Sequence, residues 1–243
     1  MKKDTDKVKY ITDFFKELVF KEDSHEYFLN SNSISISVSG IVHKFVIPFD
    51  IEGKSCTTAK KMCLPQEEVK EQWRKKAEDA CIQGTKVHKF AEQYTFNRRH
   101  KPTDGYERAV TKFFKCLPEH IIPVAVEVKM YHKKYVFAGT CDTLLFNKIT
   151  GNYILTDYKT NRDLFKNFAG QKLLGCFSDL LENNFNKYQI QLSLYQLLFE
   201  QTGLKIEDRR IIHLKESGEF LIYKTEDYTE RLQYYLENEY NRN

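Results

Sequence analysis

The stretch VAVEVKMYHKKYVFAGTCDTLLFNKITGNYILTDYKT, residues 124–160, is apolar and β-branched and is interrupted twice by polar residues. The interruptions fall at His132–Lys134 and at Lys148–Gly151. Apolar, β-branched runs separated by short polar breaks are typical of antiparallel strands joined by hairpins. The region from Glu127 to Lys159 therefore predicts three consecutive strands of one sheet.

The second interruption also predicts which residues face each other. A four-residue loop over Lys148–Gly151, a common hairpin length, places Asp142 opposite Asp157 when residues are counted outward along both strands. The β-carbons of opposed residues lie about 5 Å apart, so two carboxylates there repel each other. Lys159 follows Asp157 by two residues and points to the same face of its strand. Carboxylates forced together in this way are commonly held by a divalent cation. An exposed ion pair between Asp157 and Lys159 explains the same pattern without a function.

The composition is that of a folded, globular protein. The chain has 243 residues, of which 41% are hydrophobic and 14% aromatic, enough for one substantial core. No apolar run approaches the ~20 residues that cross a bilayer, and the N-terminus lacks the apolar segment of a signal peptide. We therefore expect a cytoplasmic protein without a membrane partner. The net charge of +4 permits nucleic-acid binding but does not require it.

The cysteines are spread singly along the sequence. They are Cys56, Cys63, Cys81, Cys116, Cys141 and Cys176. Zinc and iron–sulfur sites usually show closely spaced cysteines, and this sequence has no such pair. In a chain without an export signal the thiols are expected to be reduced. Cys141 sits beside Asp142, so strand alternation predicts that it faces the core.

Periodicity and capping signals outline the rest of the chain. The expected elements are a helix over 6–20, a hairpin of 25–29 and 33–38, a short helix capped by Ser39, a loop over 48–53, a long helix or a close pair of helices over 66–96, a helix over 104–116, the three strands, an irregular segment over 160–186, a helix over 188–200, a hairpin of 209–214 and 219–224, and a helix over 228–240. The expected buried stripe of the segment 66–96 consists of Trp73, Ala77, Ala80, Val87, Phe90 and Ala91. We expect a single domain over 1–243. It would comprise an N-terminal hairpin and helix region (1–65), a core (66–225) and a C-terminal helix (226–243).

Two of the predicted helices carry polar residues that are candidates for a site. His88 lies one turn after Gly84, on the same side of its helix, although a lone helical histidine is more often structural. Gly84 itself costs the helix about 1 kcal/mol relative to alanine and predicts a bend or close packing. Gln191 and Tyr195 lie one turn apart in an apolar helix, where a buried glutamine requires partners.

A basic and aromatic run follows Glu127 on the first of the three strands. Lys129 and Tyr131 begin it, and basic side chains with aromatic residues between them suit a single-stranded backbone with stacked bases. Charge runs more often simply solvate a surface. Both readings remain open at the level of the sequence.

Five short motifs follow one another along the chain. They are Gly84-Thr85-Lys86-Val87-His88, Glu127, Gly139-Thr140-Cys141-Asp142, Asp157-Tyr158-Lys159 and Gln191-Leu192-Ser193-Leu194-Tyr195. In this order they resemble the PD-(D/E)XK nuclease superfamily, and within it the RecB-type exonuclease branch. That branch includes many phage nucleases and the mitochondrial genome maintenance exonuclease. The predicted N-terminal hairpin and serine-led helix are also similar to the phage members.

The resemblance implies a fold and a set of site residues. The fold is a restriction-endonuclease-like α/β core, in which helices flank a central mixed β-sheet. The metal ligands would be His88, Asp142, Asp157 and the backbone carbonyl of Tyr158. Asp142, Asp157 and Lys159 would be catalytic together with Glu127, whose place varies within the family. Gln191 and Tyr195 would line the site and touch the substrate strand, beside the candidates Lys129 and Tyr131.

The resemblance also implies cofactors and partners. One or two Mg²⁺ or Mn²⁺ ions are expected, because carboxylate and carbonyl oxygens suit both and a histidine favours Mn²⁺. Some relatives carry an iron–sulfur cluster on four cysteines, but this sequence lacks such a set, so no cluster is expected. No nucleotide is expected either, since there is no GxxxxGK[ST] phosphate loop. The implied partner is DNA, single-stranded or with a free end, in replication, recombination or repair, together with proteins of those processes.

Three alternatives to a single-strand exonuclease are compatible with parts of the pattern. The first is a structure-specific DNA endonuclease on the same fold. The second is a nucleic-acid-binding module that does not cleave, for which carboxylates facing phosphate would have no use. The third is a small-molecule metallohydrolase on another fold, although such sites usually show several histidines.

Overall fold

The computed structural model of the chain describes residues 2–24 and 26–240. The elements are, in chain order, α1 (Lys2–Phe14), β1 (Leu18–Lys21), β2 (Glu26–Leu29), β3 (Asn32–Ser33), α2 (Val38–Lys44), α3 (Ile51–Met62), α4 (Gln66–Phe96), α5 (Gly105–Lys115), β4 (Ile121–Tyr131), β5 (Ala138–Asn147), β6 (Tyr153–Lys159), α6 (Asn184–Glu200), β7 (Ile206–Leu214), β8 (Phe220–Lys224) and α7 (Thr229–Asn238). In this part of the chain no helix combines the length and apolar character needed to span a bilayer.

The central sheet has five strands in the order β4-β5-β6-β7-β8. All neighbouring pairs are antiparallel except β6 and β7, which are parallel, so the sheet is mixed. Parallel neighbours need a long crossover connection, and α6 lies in this one. The three short N-terminal strands form a separate antiparallel sheet in the order β1-β2-β3. The predicted α/β core, a mixed sheet flanked by helices with an N-terminal hairpin, is confirmed.

The register predicted for the hairpin of β5 and β6 is confirmed. Thr143 pairs with Thr156, and the pairing continues to Phe146 and Tyr153. The loop is closed by a hydrogen bond from the Asn147 backbone N–H to the Asn152 carbonyl oxygen, at 2.9 Å. The same count places Asp142 and Asp157 next beyond the last paired residues.

The core lies on both faces of the central sheet. On one face α4 and α5 cover alternate strand residues, which include Leu145, Ile154 and Ile212. On the other face α2, α6 and α7 cover the intervening residues, which include Leu144 and Leu155. Strands that are buried on both faces read as continuous apolar runs, which explains the sequences TLLF and YIL. Helices on both faces leave the end of the β5–β6 hairpin flanked by α4 and α6.

Several boundaries in the N-terminal region differ from those predicted. The first helix ends at Phe14 instead of Phe20, because Leu18–Lys21 pairs as a strand with Glu26–Leu29. His25, the expected first residue of the hairpin, lies outside the described residues, as do residues 241–243. The short helix α2 is capped by Ser37 and not by Ser39: the Ser37 side chain accepts the Gly40 backbone N–H at 3.1 Å.

Two predictions about the helical segments are also corrected. The expected loop over 48–53 contains the start of α3, whose N-cap Asp50 accepts the Gly53 backbone N–H. The segment 66–96 is one continuous helix, the first of the two alternatives expected, but Ala77 and Ala80 of its expected buried stripe are exposed. The buried part of α4 lies largely towards its C-terminal end, around Phe90. Periodicity could not show this, since an amphipathic pattern does not reveal where its partner ends.

Gly84 and Gly139, which begin two of the sequence motifs, differ in the space available for a side chain. A β-carbon at Gly84 would meet open space, so the close packing expected as one reason for this glycine is absent. We predict that Gly84→Ala stabilises the protein by roughly 0.5–1 kcal/mol, because alanine restricts the unfolded chain and favours helix.

A β-carbon at Gly139 would lie 2.7 Å from the side chains of Tyr195 and Val38. We predict that Gly139→Ala destabilises by roughly 1–3 kcal/mol. Denaturant unfolding of both variants measures these signs, and a change of the same sign in both would contradict the packing described here.

Candidate active site

The candidate site lies where β5 and β6 separate. Their ladder ends at the pair Thr143 and Thr156. Beyond that pair the Asp142 side chain takes the place of a ladder carbonyl, since its Oδ2 accepts the backbone N–H of Tyr158 at 2.7 Å. Strand β6 continues along β7 at this point, with Asp157 beside Ile211. The strands therefore part without leaving the Tyr158 N–H unsatisfied.

Asp157 and Lys159 form a buried ion pair. The Asp157 Oδ2 lies 2.5 Å from the Lys159 Nζ, and the two side chains are only 2% and 15% exposed. The exposed-surface explanation of this pair is therefore wrong. Charges removed from water cost several kcal/mol each unless they are well paired, and removing one partner of such a pair typically costs 3–5 kcal/mol. A pair of this kind is expected where it serves a function that an apolar pair cannot.

The space between β5 and β6 beyond Thr143 and Thr156 is called the gap below. A second cluster of side chains lies on the β4 and β5 side of this gap. One ligand atom each of His88, Glu127 and Asp142 lie within 4.8 Å of one another. The His88 Nδ1 lies 3.5 Å from the Asp142 Oδ1, and the His88 Nε2 lies 3.2 Å from the Tyr158 carbonyl oxygen. Helix α4 thus brings His88 to the strands. It contacts two of the three groups proposed to share a metal with it.

Glu127 belongs to this cluster and is held in a strained backbone conformation. Its φ angle is +48°, in the left-handed region that non-glycine residues rarely adopt. Its neighbours Val126 and Val128 pair with Thr143 and Cys141, so Glu127 faces Asp142 across the ladder. Such residues typically cost about 1–3 kcal/mol and cluster at functional sites. The sequence placed Glu127 among the catalytic residues, and the structure places it beside the candidate metal ligands.

The crowded carboxylates have raised pKa values. Burial raises the pKa of Glu127 to about 7, and the neighbouring Asp142 carboxylate adds to the rise. Burial likewise raises the pKa of Asp157 to about 6, although Lys159 opposes the rise. Burial alone would lower the pKa of Lys159, but the carboxylates of Asp157 and Asp142 outweigh it, so the net shift is upward. Lys159 is therefore held as a cation, while the carboxylates lack enough positive charge around them.

Helix α6 supplies the polar pair predicted from the sequence. The Gln191 Nε2 donates to the Tyr195 hydroxyl at 2.8 Å. Tyr195 is 5% exposed, and its ring lies against the position of Gly139. Burial raises the pKa of the Tyr195 hydroxyl, and the charges of Asp157 and Asp142 raise it further. The pair therefore lies close to both carboxylates, on the α6 side of the gap.

The two basic and aromatic candidates on β4 have different surroundings. Lys129 is exposed and pairs in register with Thr140 of β5. Tyr131 is 4% exposed, with its ring against Phe15 and its hydroxyl donating to Glu17 at 3.1 Å. Packing accounts for Tyr131 completely. The structure therefore does not bring it to a surface that a substrate could reach.

Two residues near the cluster were missed by the sequence reasoning. The Lys159 Nζ lies 4.4 Å from the centre of the Tyr188 ring, and the Tyr188 hydroxyl donates to Asn161 at 2.7 Å. Tyr188 lies three residues before Gln191 on α6, and that helical spacing could have identified it. Asn161 has no comparable signal, because it lies in the irregular segment after β6. Both residues hold the side of the site around Lys159.

Cys141 is confirmed as a core residue. It is fully buried, and its thiol contacts the backbone carbonyls of Thr143 and Thr156 at 3.8 and 3.7 Å. Burial raises the pKa of this thiol well above its usual value. Cys141 is therefore a protonated packing residue and a poor metal ligand.

The donor set fits a hard divalent cation. Glu127 and Asp142 supply carboxylate oxygens and His88 supplies an imidazole nitrogen, whereas Asp157 lies outside this trio but close enough for Asp142 and His88 to shift its pKa. Oxygen donors suit Mg²⁺ and Mn²⁺, and a nitrogen donor is acceptable to Mn²⁺. The excess of buried negative charge is the strongest sign, because a divalent cation would offset it.

The fold and this site define a nuclease of the restriction-endonuclease-like class. The sequence matches the PD-(D/E)XK nuclease superfamily over residues 42–240, most of the chain. The chain therefore belongs to the PD-(D/E)XK nuclease superfamily, whose members are nucleases that use divalent metal ions to hydrolyse phosphodiester bonds. A comparison with curated proteins found no match.

The raised pKa of Glu127 predicts a stability effect that depends on pH. Its folded-state pKa, about 7, lies above the ordinary value of 4.5, so the ionised form destabilises the metal-free fold. This destabilisation is absent below about pH 4.5, grows as the pH rises and is complete above about pH 7. We predict that Glu127→Gln raises the free energy of unfolding at about pH 8, by up to about 3 kcal/mol, and changes it little at about pH 4.5.

Thermal unfolding in EDTA at both pH values measures this difference. Glu119 is exposed in the turn before β4, so Glu119→Gln is a matched control and should change stability little at either pH. Added Mn²⁺ should stabilise the wild type more than Glu127→Gln, because the ion loses a ligand in the variant. A stability gain of equal size at both pH values would show that Glu127 ionisation is not the cause.

Proposed function

We propose that this chain is a metal-dependent DNA exonuclease of the RecB-type branch, which acts on single-stranded ends in DNA replication, recombination or repair in the cytoplasm. Residues 1–243 would form one nuclease domain, with proteins of those processes as possible partners. The observation that carries the proposal is the arrangement at the end of β5 and β6. A buried Asp157–Lys159 pair lies next to His88, Glu127 and Asp142, with the Tyr158 backbone between them.

Several residues around the gap are proposed as metal ligands. His88, Asp142 and Asp157 are the proposed ligands, with the Tyr158 carbonyl, and the position of Glu127 adds it to this set. Bound Mg²⁺ or Mn²⁺ would supply a water of lowered pKa and a Lewis acid for the phosphodiester. The ligands stand on three elements: α4, β4 and the β5–β6 hairpin. These elements are packed together, so the ligand positions are set before substrate arrives.

Lys159 is proposed to act as a fixed positive charge. Its pKa is raised by the neighbouring carboxylates, which favours the protonated form and therefore the role of a stabilising charge over that of a base. A cation in a buried site stabilises negative charge that grows on phosphoryl oxygens in the transition state. The Asp157 carboxylate and the Tyr188 ring hold its Nζ from two sides. Lys159 would therefore stabilise charge without reorientation.

Gln191 and Lys129 are the proposed substrate contacts, and the buried Tyr195 positions Gln191. Gln191 is half-buried and donates to the Tyr195 hydroxyl, so it offers a polar group on the α6 side of the gap. Lys129 offers an exposed cation on the β4 side. Phosphate contacts of this kind position a strand but carry no sequence information. A nuclease of broad sequence tolerance is therefore the expected outcome.

The preference for a free single-stranded end rests on the segment over 160–186. Leu164, Leu173 and Phe177 of this segment are buried in the core, so it is anchored beside β6. Phe165 and Phe168 are 49% and 69% exposed, and the Lys166 Nζ lies 5.1 Å from the Phe168 ring centre. Aromatic and basic side chains next to a cleavage site favour a flexible strand with accessible bases.

Removal of the buried charges tests the assignment of the site. We predict that Asp157→Asn and Lys159→Ala each lower the rate of DNA cleavage in Mg²⁺ by at least about 10²-fold, because the first removes a proposed metal ligand and the second removes the cation that stabilises the reacting phosphate. Asp157→Asn should also weaken Mn²⁺ binding measured by calorimetry, whereas Lys159→Ala should not. Asp208→Asn is a matched control, since Asp208 is a half-buried carboxylate paired with Arg210 on the neighbouring strand β7. Wild-type cleavage by Lys159→Ala would overturn the assignment.

The dependence on a free end is tested with two forms of one sequence. We predict that the purified protein, in Mg²⁺ or Mn²⁺, degrades an end-labelled linear single strand to short products and spares the same strand when it is circular. Linear duplex of the same sequence should be degraded more slowly. Rapid nicking of the circle would instead show a structure-specific endonuclease, and binding of both forms without cleavage would show a module that does not cut.

A further inference from the structure

An aromatic pair of the N-terminal sheet lies beside the site, although it is far from the site in sequence. Phe20 of β1 and Tyr27 of β2 are directly opposed across their ladder. Their ring centres lie 4.6 Å apart, with an angle of 40° between the ring planes, and both side chains are half-buried. Directly opposed side chains of two paired strands point to the same face. The two rings therefore form one aromatic surface.

Two contacts fix this surface against the central sheet. The Tyr27 hydroxyl lies 2.8 Å from the Thr140 Oγ1, within hydrogen-bond distance. Thr140 is the register partner of Lys129, whose Nζ lies 6.0 Å from the centre of the Phe20 ring. The rings of β1 and β2 and the cation of β4 are thus adjacent. Lys129 is exposed, so its charge faces solvent at the edge of the aromatic surface.

The surface lies next to the proposed metal ligands. Lys129 follows Glu127, and Thr140 precedes Asp142, by two residues each. Two residues along a strand span about 7 Å and point to the same face. Burial raises the pKa of the Tyr27 hydroxyl, and the charge of the nearby Glu127 carboxylate contributes to the rise. An aromatic surface with a lysine therefore stands about one nucleotide's length from the candidate cleavage position.

We propose that Phe20 and Tyr27 form a base-stacking subsite, with Lys129 holding a phosphate of the same single strand. The proposal deepens the proposed function and rests on it for the direction of the strand across the metal ligands. A nucleic-acid base has an apolar face of the size of an aromatic ring, and a phosphate beside it needs a cation. The aromatic partners of Lys129 are then residues of the N-terminal sheet and not Tyr131.

The same strands contain a matched control. Phe28 follows Tyr27 and lies on the opposite face of β2, opposed to Val19. A lysine also lies beside its ring, since the Lys21 Nζ is 4.3 Å from the centre of the Phe28 ring. Phe28 therefore has the same chemistry as the proposed subsite but faces away from it. A stacking effect at Phe20 that does not appear at Phe28 is specific to the face that carries Tyr27.

The experiment measures binding without cleavage. Fluorescein-labelled oligothymidylate of about twelve nucleotides is titrated with the full chain in Ca²⁺, by anisotropy, and gels verify that it stays intact. A second series carries one abasic nucleotide at each position in turn. We expect one abasic position to weaken binding by the wild type roughly tenfold, the usual loss for one stacked base.

The variants connect that loss to the two rings. Phe20→Leu and Tyr27→Leu should bind the intact oligonucleotide roughly tenfold more weakly and lose nothing further at that abasic position. Tyr27→Phe keeps the ring and should bind within about twofold of wild type, and Phe28→Leu should behave as wild type. Lys129→Met should reduce the slope of log affinity against log salt concentration by about 1, which corresponds to the loss of one phosphate contact. Thermal unfolding checks that each variant folds.

The possible results separate the subsite from the proposed function. A flat abasic scan with the wild type, or a Phe20→Leu loss that adds fully to the abasic loss, overturns the subsite even if the protein cleaves DNA. A loss at Phe28→Leu equal to that at Phe20→Leu also overturns it. A coupled loss at Phe20 in a protein that cuts no DNA in Mg²⁺ or Mn²⁺ supports the subsite and refutes the nuclease activity.

Discussion

The hydrogen bond from the Tyr158 backbone N–H to the Asp142 carboxylate, at 2.7 Å, is the contact on which the site depends. A ladder that continued past Thr143 and Thr156 would close the gap between β5 and β6 with backbone groups. The carboxylate satisfies the same donor and holds the strands apart. This leaves the Tyr158 carbonyl to face His88 and the next side chains of β6 to reach the gap. The Asp142 side chain thus opens the end of the β5–β6 hairpin and makes room for the candidate active site.

The site is built at a cost to stability. Glu127, Asp142 and Asp157 bring three carboxylates together with one lysine, and the raised pKa values of Glu127 and Asp157 express the resulting repulsion and burial. The backbone of Glu127 adds strain, since its φ angle is +48°. Interiors accept such groups only where the surrounding packing determines them fully. The apolar layers on both faces of the sheet provide that packing, and a divalent cation would offset the crowded negative charge.

The N-terminal sheet lies beside the candidate metal ligands and contains the aromatic residues of the proposed stacking subsite. It is antiparallel and separate from the central sheet, yet Tyr27 reaches Thr140 and the lysine of β4 lies over Phe20. On the opposite side of the gap, α6 contributes Tyr188 and Tyr195. The gap is therefore lined by elements from both ends of the chain. Aromatic side chains on each side suit a polymer whose bases stack, which agrees with the proposed single-stranded substrate.

The sequence by itself determined the β5–β6 register, the position of Asp157 and Lys159 on one face of β6 and the membership of the superfamily. Those features depend on turn length, alternation and motif order, which act over a few residues. Only the tertiary structure decided that Glu127 joins His88, that Tyr131 is buried and that Tyr27 stands beside the site. Each of these depends on how elements far apart in the chain pack together. Periodicity shows which face of an element is apolar, but it does not show which partner covers that face.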